Sequence, residues 1–270
     1  PVAIVAKGTA LPENFVAPFI MGVPKDVELS DVVIAASLEA NNDCIFINGN
    51  TISFDKEKNS KIKNSSKVFR PVTDKYIKAM SEDDFAGLFL NVDGDEFLPL
   101  LQNNKAMQAL LASVNTVVDM NNIIKSVNGD IAVVCPEYSD KTMKFFMSAQ
   151  LDDTSWLADV DYWKKSCPAG GKIADWKENS YYYTDGGNNA YYFGVTNDKQ
   201  YFSGTDSELA LSSVGTSSRP LDSSIISKLK GNRVVLIVNT PGDNANEKSS
   251  GVSVLKHLLG SIRTIVYCVR

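Results

Sequence analysis

The hydrophobic and polar positions of the chain form two kinds of pattern, short apolar runs and longer stretches with helical spacing. The short runs are rich in β-branched residues, which is typical of strands. Strands are predicted at Asp31–Leu38, Asp43–Asn48, Phe85–Val92, Asp130–Cys135, Thr142–Leu151, Arg233–Asn239 and Thr264–Arg270.

Two stretches show the helical period. In the first, one face of a 3.6-residue repeat carries Met107, Leu110, Leu111, Val114, Val117 and Val118. In the second, Trp156, Val160 and Trp163 share a face, and Pro168 stops the helix. Helical segments separate groups of strands that short Gly/Asn turns connect. The sequence therefore predicts an α+β protein with largely antiparallel sheets, not a doubly wound parallel sheet.

An internal repeat organises these elements. The first copy runs from Arg70-Pro71-Val72 through a short helix with Ile77 and Met80 to Leu88–Asn91 and Gly94. The second copy runs from Arg219-Pro220-Leu221 through Ile226 and Leu229 to Leu236–Asn239 and Gly242. Because the apolar positions around the motif match, we interpret it as a duplication. Two copies are too few for a solenoid, so the prediction is two related lobes, residues 1–127 and 128–270.

Composition excludes several classes of function. The 270 residues are 44% hydrophobic and 22% charged, which is typical of a globular protein. The net charge is −5 and the cations form no basic stripe, which argues against a nucleic-acid partner. No apolar run approaches the ~18–20 residues that span a bilayer. The start at Pro1 has no signal-peptide pattern, so we expect any export signal to lie outside this sequence.

The four cysteines and the single histidine restrict the chemistry further. Cys44, Cys135, Cys167 and Cys268 include no CxxC pair, and we interpret them as buried free thiols, with a disulfide or a metal role as alternatives. His257 lies in an amphipathic segment and is interpreted as a helix-surface residue. One histidine removes most metal and acid–base designs, and no cofactor is predicted.

An acidic loop resembles the start of a calcium site. Asn91, Asp93 and Asp95 match the first three alternating ligands of an EF-hand loop. The match then ends, because Glu96 occupies the position of the turning glycine and Gln102 that of the bidentate glutamate. We interpret the loop as a turn before a helix and keep Asn91, Asp93 and Asp95 as a weak metal candidate.

The segment from Pro168 to Lys172 has the glycines and the lysine of a phosphate loop without its spacing, so a connecting loop is predicted there.

The strongest candidate surface is aromatic. Tyr181-Tyr182-Tyr183 and Tyr191-Tyr192-Phe193 flank a Gly/Asn turn and predict a hairpin, with Tyr201-Phe202 on a third strand. Side chains alternate between the faces of a strand, so at least one aromatic residue of each run must point outward. Exposed tyrosines suit carbohydrate stacking or a protein contact. The alternatives are helices over both faces or ordinary cross-strand pairs. The candidate ligand-binding residues are Tyr182, Tyr192 and Tyr201.

With these residues identified, the chain resembles the C-terminal half of an uncharacterised family of Bacteroides-type cell-envelope lipoproteins, classed as a domain of unknown function. The motifs that carry the resemblance are Leu11–Phe15, Met21–Pro24, Asp31–Leu38, Leu88–Gly94, Val127–Ile131 and Tyr191–Tyr201. The stretch after Ser249 matches less closely. The resemblance implies export to the periplasm or outer membrane and attachment through a lipidated N-terminal cysteine outside this sequence. It supplies no function and no catalytic residue.

These observations favour a non-enzymatic cell-envelope module that binds a glycan or an envelope protein. A binding module predicts an exposed aromatic patch. The alternative is a carboxylate-based hydrolase without a recognisable motif, which predicts a deep cleft with two or more acids of perturbed pKa. A purely structural protein predicts neither feature.

Overall fold

The structure, a computed structural model, describes residues 2–10, 22–41, 43–103, 105–139, 142–187, 189–240 and 262–269. Their strands form one continuous twelve-stranded sheet. The strands are β1 Val2–Lys7, β2 Val33–Asn41, β3 Cys44–Ile52, β4 Ala86–Asp93, β5 Val127–Tyr138, β6 Met143–Leu151, β7 Lys172–Lys177, β8 Ser180–Thr184, β9 Ala190–Val195, β10 Gln200–Gly204, β11 Val234–Asn239 and β12 Thr264–Val269.

The strand order across the sheet is β1-β2-β3-β12-β11-β4-β5-β6-β10-β9-β8-β7. Among the described strands, β3 and β12 are parallel and the other neighbours are antiparallel. The predicted α+β class with largely antiparallel pairing is therefore confirmed. Each predicted strand corresponds to an observed one, whereas β1 and β7 were not predicted.

The described residues also form seven helices. They are α1 Lys56–Ser65, α2 Gly94–Asn103, α3 Lys105–Val114, α4 Met120–Lys125, α5 Val160–Ser166, α6 Ser207–Ser212 and α7 Ser223–Leu229. The predicted helix around Trp156 begins as a 3-10 turn, Ser155–Asp159, and continues as α5. The predicted short helix at Ile77 is a 3-10 turn, Ile77–Ala79. None of these helices has the length and hydrophobicity that a bilayer-spanning helix needs.

A hydrophobic core lies on each face of the sheet. One face, which we call the α5 face, packs against α2, α4 and α5. Its buried side chains include Leu90, Val92, Phe97, Ile123, Ile131, Ala149, Trp156, Trp163 and Phe193. The opposite face, the α7 face, packs against α7 and the segment 70–80. Its buried side chains include Phe46, Val72, Ile77, Met80, Phe89, Val134, Leu229, Val235 and Ile237.

The middle of the sheet contains the antiparallel pair β4–β11, the two strands that follow the Arg70-Pro71 and Arg219-Pro220 segments. Leu88 lies directly opposite Leu236, 148 residues further along the chain. The backbone N–H of Val72 donates to the carbonyl of Asn232, which precedes β11, at 2.8 Å. The N–H of Glu82, which precedes β4, donates to the carbonyl of Arg219 at 2.9 Å. Each Arg-Pro segment is thus hydrogen-bonded to the residues just before the strand that follows the other Arg-Pro segment.

Gly94 stands where β4 passes into α2, beside the last turn of α4. A Cβ atom at this position would lie 1.9 Å from the carbonyl oxygen of Ile124 and 2.9 Å from that of Lys125. Both atoms belong to the backbone, so no side-chain rotation relieves the overlap. The close approach of α4 to the start of α2 therefore requires glycine at this position.

The substitution Gly94→Ala is expected to lower the free energy of unfolding by about 1–3 kcal/mol, because the added methyl group forces α2 and α4 apart. Gly215→Ala is the matched control, since the nearest atom to its Cβ, the carbonyl oxygen of Ser212, lies 3.4 Å away. Chemical denaturation of both variants measures the difference. Equal unfolding free energies would contradict the tight packing of α2 on α4.

Candidate functional site

The aromatic hairpin forms as β8 and β9, and its side chains divide between the two faces. Tyr181 and Phe193 lie on the α5 face, with ring centroids 5.7 Å apart. Lys164 on α5 lies over the Tyr181 ring, 5.2 Å from its centroid. Tyr183 and Tyr191 pack against the same core. This half of the aromatic run is therefore ordinary core packing beneath α5.

Tyr182 and Tyr192 lie on the opposite face, directly across from each other in the β8–β9 register. Their ring centroids are 5.8 Å apart and their planes are inclined by 29°. Both side chains are half-buried. Their ring faces are thus nearly parallel and partly accessible to solvent.

Trp176 on β7 joins this pair, although the sequence reasoning did not single it out. Its ring lies 4.9 Å from that of Tyr192 at an interplanar angle of 70°. A register irregularity in β7 falls between Asp175 and Lys177, so Trp176 occupies a bulge position. The Lys177 ammonium lies 5.1 Å from the centroid of the Trp176 ring. We call Trp176, Tyr182 and Tyr192 the aromatic trio.

Small residues beneath the indole allow Trp176 to lie along the sheet. Trp176 and Phe202 belong to strands separated by β8 and β9, yet their ring centroids are 6.4 Å apart. Neighbouring strands are ~4.8 Å apart, so both side chains must lean across the two intervening strands. Between them, Ser180 faces Gly194. A Cβ at Gly194 would lie 2.8 Å from the Phe202 ring. Because Gly194 has no side chain, the Trp176 and Phe202 rings can approach each other above it.

Tyr201 lies elsewhere, and the sequence prediction that groups it with the exposed tyrosines needs correction. Its side chain is 3% exposed and belongs to the α5-face core, beside Trp156 at 6.4 Å. Its hydroxyl is 3.4 Å from that of Tyr191. Burial raises the pKa of Tyr201 well above its ordinary value. The reason is register: Tyr201 pairs with Val195, so it shares the face of Val195 and Phe193. Tyr201 is not part of the aromatic trio.

The trio borders α6 on the α7 face. Gly204, which is paired with Tyr192, packs against this helix, because its Cβ would lie 2.5 Å from the backbone nitrogen of Ala210. The helix packs on β10, β9 and β6. On the face that carries the trio, no described helix packs extensively on β8, so the trio faces solvent beyond the edge of α6. Aromatic rings in this setting offer apolar contact area with polar hydroxyl tips.

The acidic loop at the end of β4 has structural contacts. Asn91 donates from its side-chain amide to Asp130 at 2.7 Å. Asp93 accepts from the backbone N–H of Asp95 at 3.1 Å. Asp95 lies in the first turn of α2, where a carboxylate is favourable. In the described part of the chain, no group of three or more His, Cys, Asp or Glu residues is placed to hold a metal ion.

The remaining candidates are scattered. Cys44 is a buried free thiol, Cys268 is a buried cysteine, and Cys135 and Cys167 are half-buried free thiols. The loop with Pro168 and Gly170 connects α5 to β7, as predicted. Some sequence predictions fall outside the described residues. They are His257, Gly242 of the second Arg-Pro segment, the motif Leu11–Phe15, and Met21 at the start of the motif Met21–Pro24.

Among the described carboxyl groups, Asp84 is the one whose pKa is raised by burial. It is buried in the turn before β4, and its side chain accepts from the backbone N–H of Ser81 at 2.6 Å. Burial, reinforced by the charge of Asp83, raises the pKa of Asp84 from 3.8 to about 6, although the hydrogen bond from Ser81 opposes the shift. A raised folded-state pKa means that the native state holds this proton more tightly than the unfolded state does. Its stabilising contribution is lost as the pH rises from about 4 to about 6.

Asp84→Asn is therefore expected to become more stable than the parent as the pH rises through this window. The gain should reach about 2–3 kcal/mol at pH 7 relative to pH 3.5, because one pKa unit corresponds to about 1.4 kcal/mol. Urea denaturation across this pH range measures it. Asp95→Asn, at an exposed residue beyond the other end of β4, is the control and should not show this gain. Parallel pH profiles for Asp84→Asn and the parent would contradict the assignment.

Comparison with known proteins identifies a family. The model of a family described as a domain of unknown function (DUF4836) matches residues 1–231. No curated protein and no solved structure matches the chain. The expected resemblance to an uncharacterised domain of unknown function is thereby confirmed. Because the match covers most of the chain, this protein belongs to the DUF4836 family.

Proposed function

We propose that the chain is a non-enzymatic binding module of the cell envelope and that the aromatic trio binds a glycan. The observation that carries this proposal is the contact of three half-buried rings, Trp176, Tyr182 and Tyr192, on a part of the sheet that no described helix covers extensively. Large aromatic side chains are usually buried, and a group of them at the surface marks a site of contact.

The ring geometry favours a sugar. The Tyr182 and Tyr192 rings stack on each other at an inclination of 29°, and in this proposal an outer face of the stacked pair receives the apolar side of a pyranose ring. Trp176 stands at 70° to Tyr192 and supplies a side wall. The tyrosine hydroxyls make no hydrogen bond to other described residues, so they are available for sugar hydroxyl groups. The other partner class, an envelope protein, would use the same apolar area.

The cellular setting is part of the proposal. The resemblance to envelope lipoproteins supports export to the periplasm or outer membrane and membrane attachment through a lipidated cysteine. It also supports a position in the C-terminal half of a longer protein. A glycan ligand is consistent with that setting.

We further propose that the sheet arose by duplication of a five-stranded unit. β1–β5 and β8–β12 each contain a hairpin, β2–β3 or β9–β10, followed by the Arg-Pro motif, a central strand and a returning strand. β3 runs parallel to β12, and β10 runs in the same direction as β5 with β6 between them. The two units would interlock in one sheet. This proposal places β5 in the first unit, whereas the lobe boundary predicted from the sequence, after residue 127, places almost all of β5 in the second lobe. Superposition of the adjacent pair β4–β5 on β11–β12, together with the Arg-Pro segment before each pair, in another family member would support this.

A thermal-shift screen against host and plant glycans tests the binding proposal. A glycan at 100 times its Kd should stabilise the parent by about 2.7 kcal/mol and raise its Tm. Tyr182→Ala and Tyr192→Ala should lose this shift, each measured against its own Tm without glycan. Tyr182→Phe should keep most of it, because the ring supplies the stacking area.

Tyr138→Ala is the matched control, since Tyr138 is an exposed strand residue, 49% accessible, that stacks on Phe85 away from the trio. It should respond to glycan as the parent does. Absence of any shift across the panel would refute the glycan proposal and favour a protein partner. Release of shorter sugars during incubation would instead support the hydrolase alternative.

A further inference from the structure

We propose a second sugar-binding site on the other side of the sheet, in a cleft beside α5. The cleft has a volume of about 630 Å³. It lies between α5 and the connection from α3 to α4. Its lining residues are Asn115, Thr116, Val117, Val118, Asp119, Asn121, Asp159, Tyr162, Trp163 and Ser166. We call it the α5 cleft. This site is independent of the aromatic trio, which lies on the α7 face.

The cleft has the size of a small-ligand site, and its lining combines polar groups with an apolar floor. Its volume falls within the roughly 300–1,000 Å³ that is usual for such sites. Val118 and Trp163 are buried core residues that form an apolar floor. Tyr162 projects from α5 at the rim and is 69% exposed, which is unusual for an aromatic side chain. An apolar floor and an exposed ring together suit the carbon face of a sugar.

The polar groups of the cleft are already held in position. The Asn115 side-chain amide donates to the side-chain oxygen of Asn121 at 3.1 Å, and the backbone N–H of Asn121 donates to the side-chain oxygen of Asn115 at 3.2 Å. Asp119 accepts from the backbone N–H of Asn122 at 3.0 Å. These bonds leave amide N–H groups of both asparagines and one carboxylate oxygen of Asp119 for a ligand. Groups fixed before binding lose little conformational entropy when the ligand arrives.

The charges of the cleft select a neutral sugar. Among the described residues, Asp119 and Asp159 are the charged ones that line it, and no described lysine or arginine does so. Carboxylates accept hydrogen bonds from sugar hydroxyl groups and repel phosphate, sulfate and uronate groups. The asparagine N–H groups donate to hydroxyl oxygens. The cleft therefore offers hydrogen-bond donors, hydrogen-bond acceptors and an aromatic ring. These groups suit one hexose or pentose unit of a neutral oligosaccharide.

Titration calorimetry and ligand-observed NMR with defined hexasaccharides test this site. The probes are cello-, malto-, manno- and xylohexaose, with an oligogalacturonate of the same length as the anionic comparison. At least one neutral probe should bind the parent. Tyr162→Ala and Asn121→Ala should each weaken that binding by tenfold or more, and the oligogalacturonate should not bind at this cleft.

Two further variants separate this proposal from the function proposed above. Tyr182→Ala should leave binding at the α5 cleft unchanged, and Tyr138→Ala is the exposed-tyrosine control. Because Tyr162 is largely exposed, Tyr162→Ala should fold even if Asn121→Ala is destabilised. Failure of every neutral probe to bind overturns the proposal. It is equally overturned if binding persists in Tyr162→Ala and disappears in Tyr182→Ala, an outcome that would leave the aromatic trio as the sugar site.

Discussion

The pairing of β4 with β11 is the contact on which the rest of the structure depends. These strands are adjacent in space although they are far apart in sequence, and their side chains are buried on both faces. Ile237 and Val235 are 0% exposed in the α7-face core, and Val234 is 2% exposed in the α5-face core. The hydrophobic contribution of a strand covered on both faces is roughly twice that of a strand covered on one. Each half of the sheet extends outward from this pair.

The position of the aromatic trio follows from the same architecture. β7, β8 and β9 lie at the end of the sheet farthest from β1, and α5 covers only one of their faces. Strand alternation then sends half of the aromatic residues into the core and half toward solvent. Tyr181 and Tyr182 are neighbours in sequence with different environments for this reason alone. Some aromatic residues of these strands are exposed because a helix covers only one face. Packing alone does not require large rings at those exposed positions.

The sequence predicts the elements of this fold better than it predicts the site. The central strands are found because their apolar runs are unbroken, as in Val234–Asn239. β7 is missed because Asp175 and Lys177 interrupt its alternation, and with it Trp176 is missed. The alternation of a strand fixes which residues share a face, so the consecutive residues Tyr201 and Phe202 must lie on opposite faces. It does not fix which face a helix covers, and that depends on the tertiary placement of α5. The burial of Tyr201 could therefore not be predicted from local pattern.

The α5 cleft was beyond sequence reasoning for a related reason. Its polar groups come from the α3–α4 connection and from α5, which are separated in sequence by β5 and β6. No motif spans them, and Asn115 and Asn121 are unremarkable in isolation. The cleft and the trio also lie on opposite sides of one sheet, so a short glycan that occupies one cannot bend around the strands to reach the other. Binding at one site raises the effective concentration of a ligand at the other only when one ligand reaches both sites. Only a long or branched glycan would gain affinity in this way. Two sites in this arrangement are suited to joining two separate glycan chains.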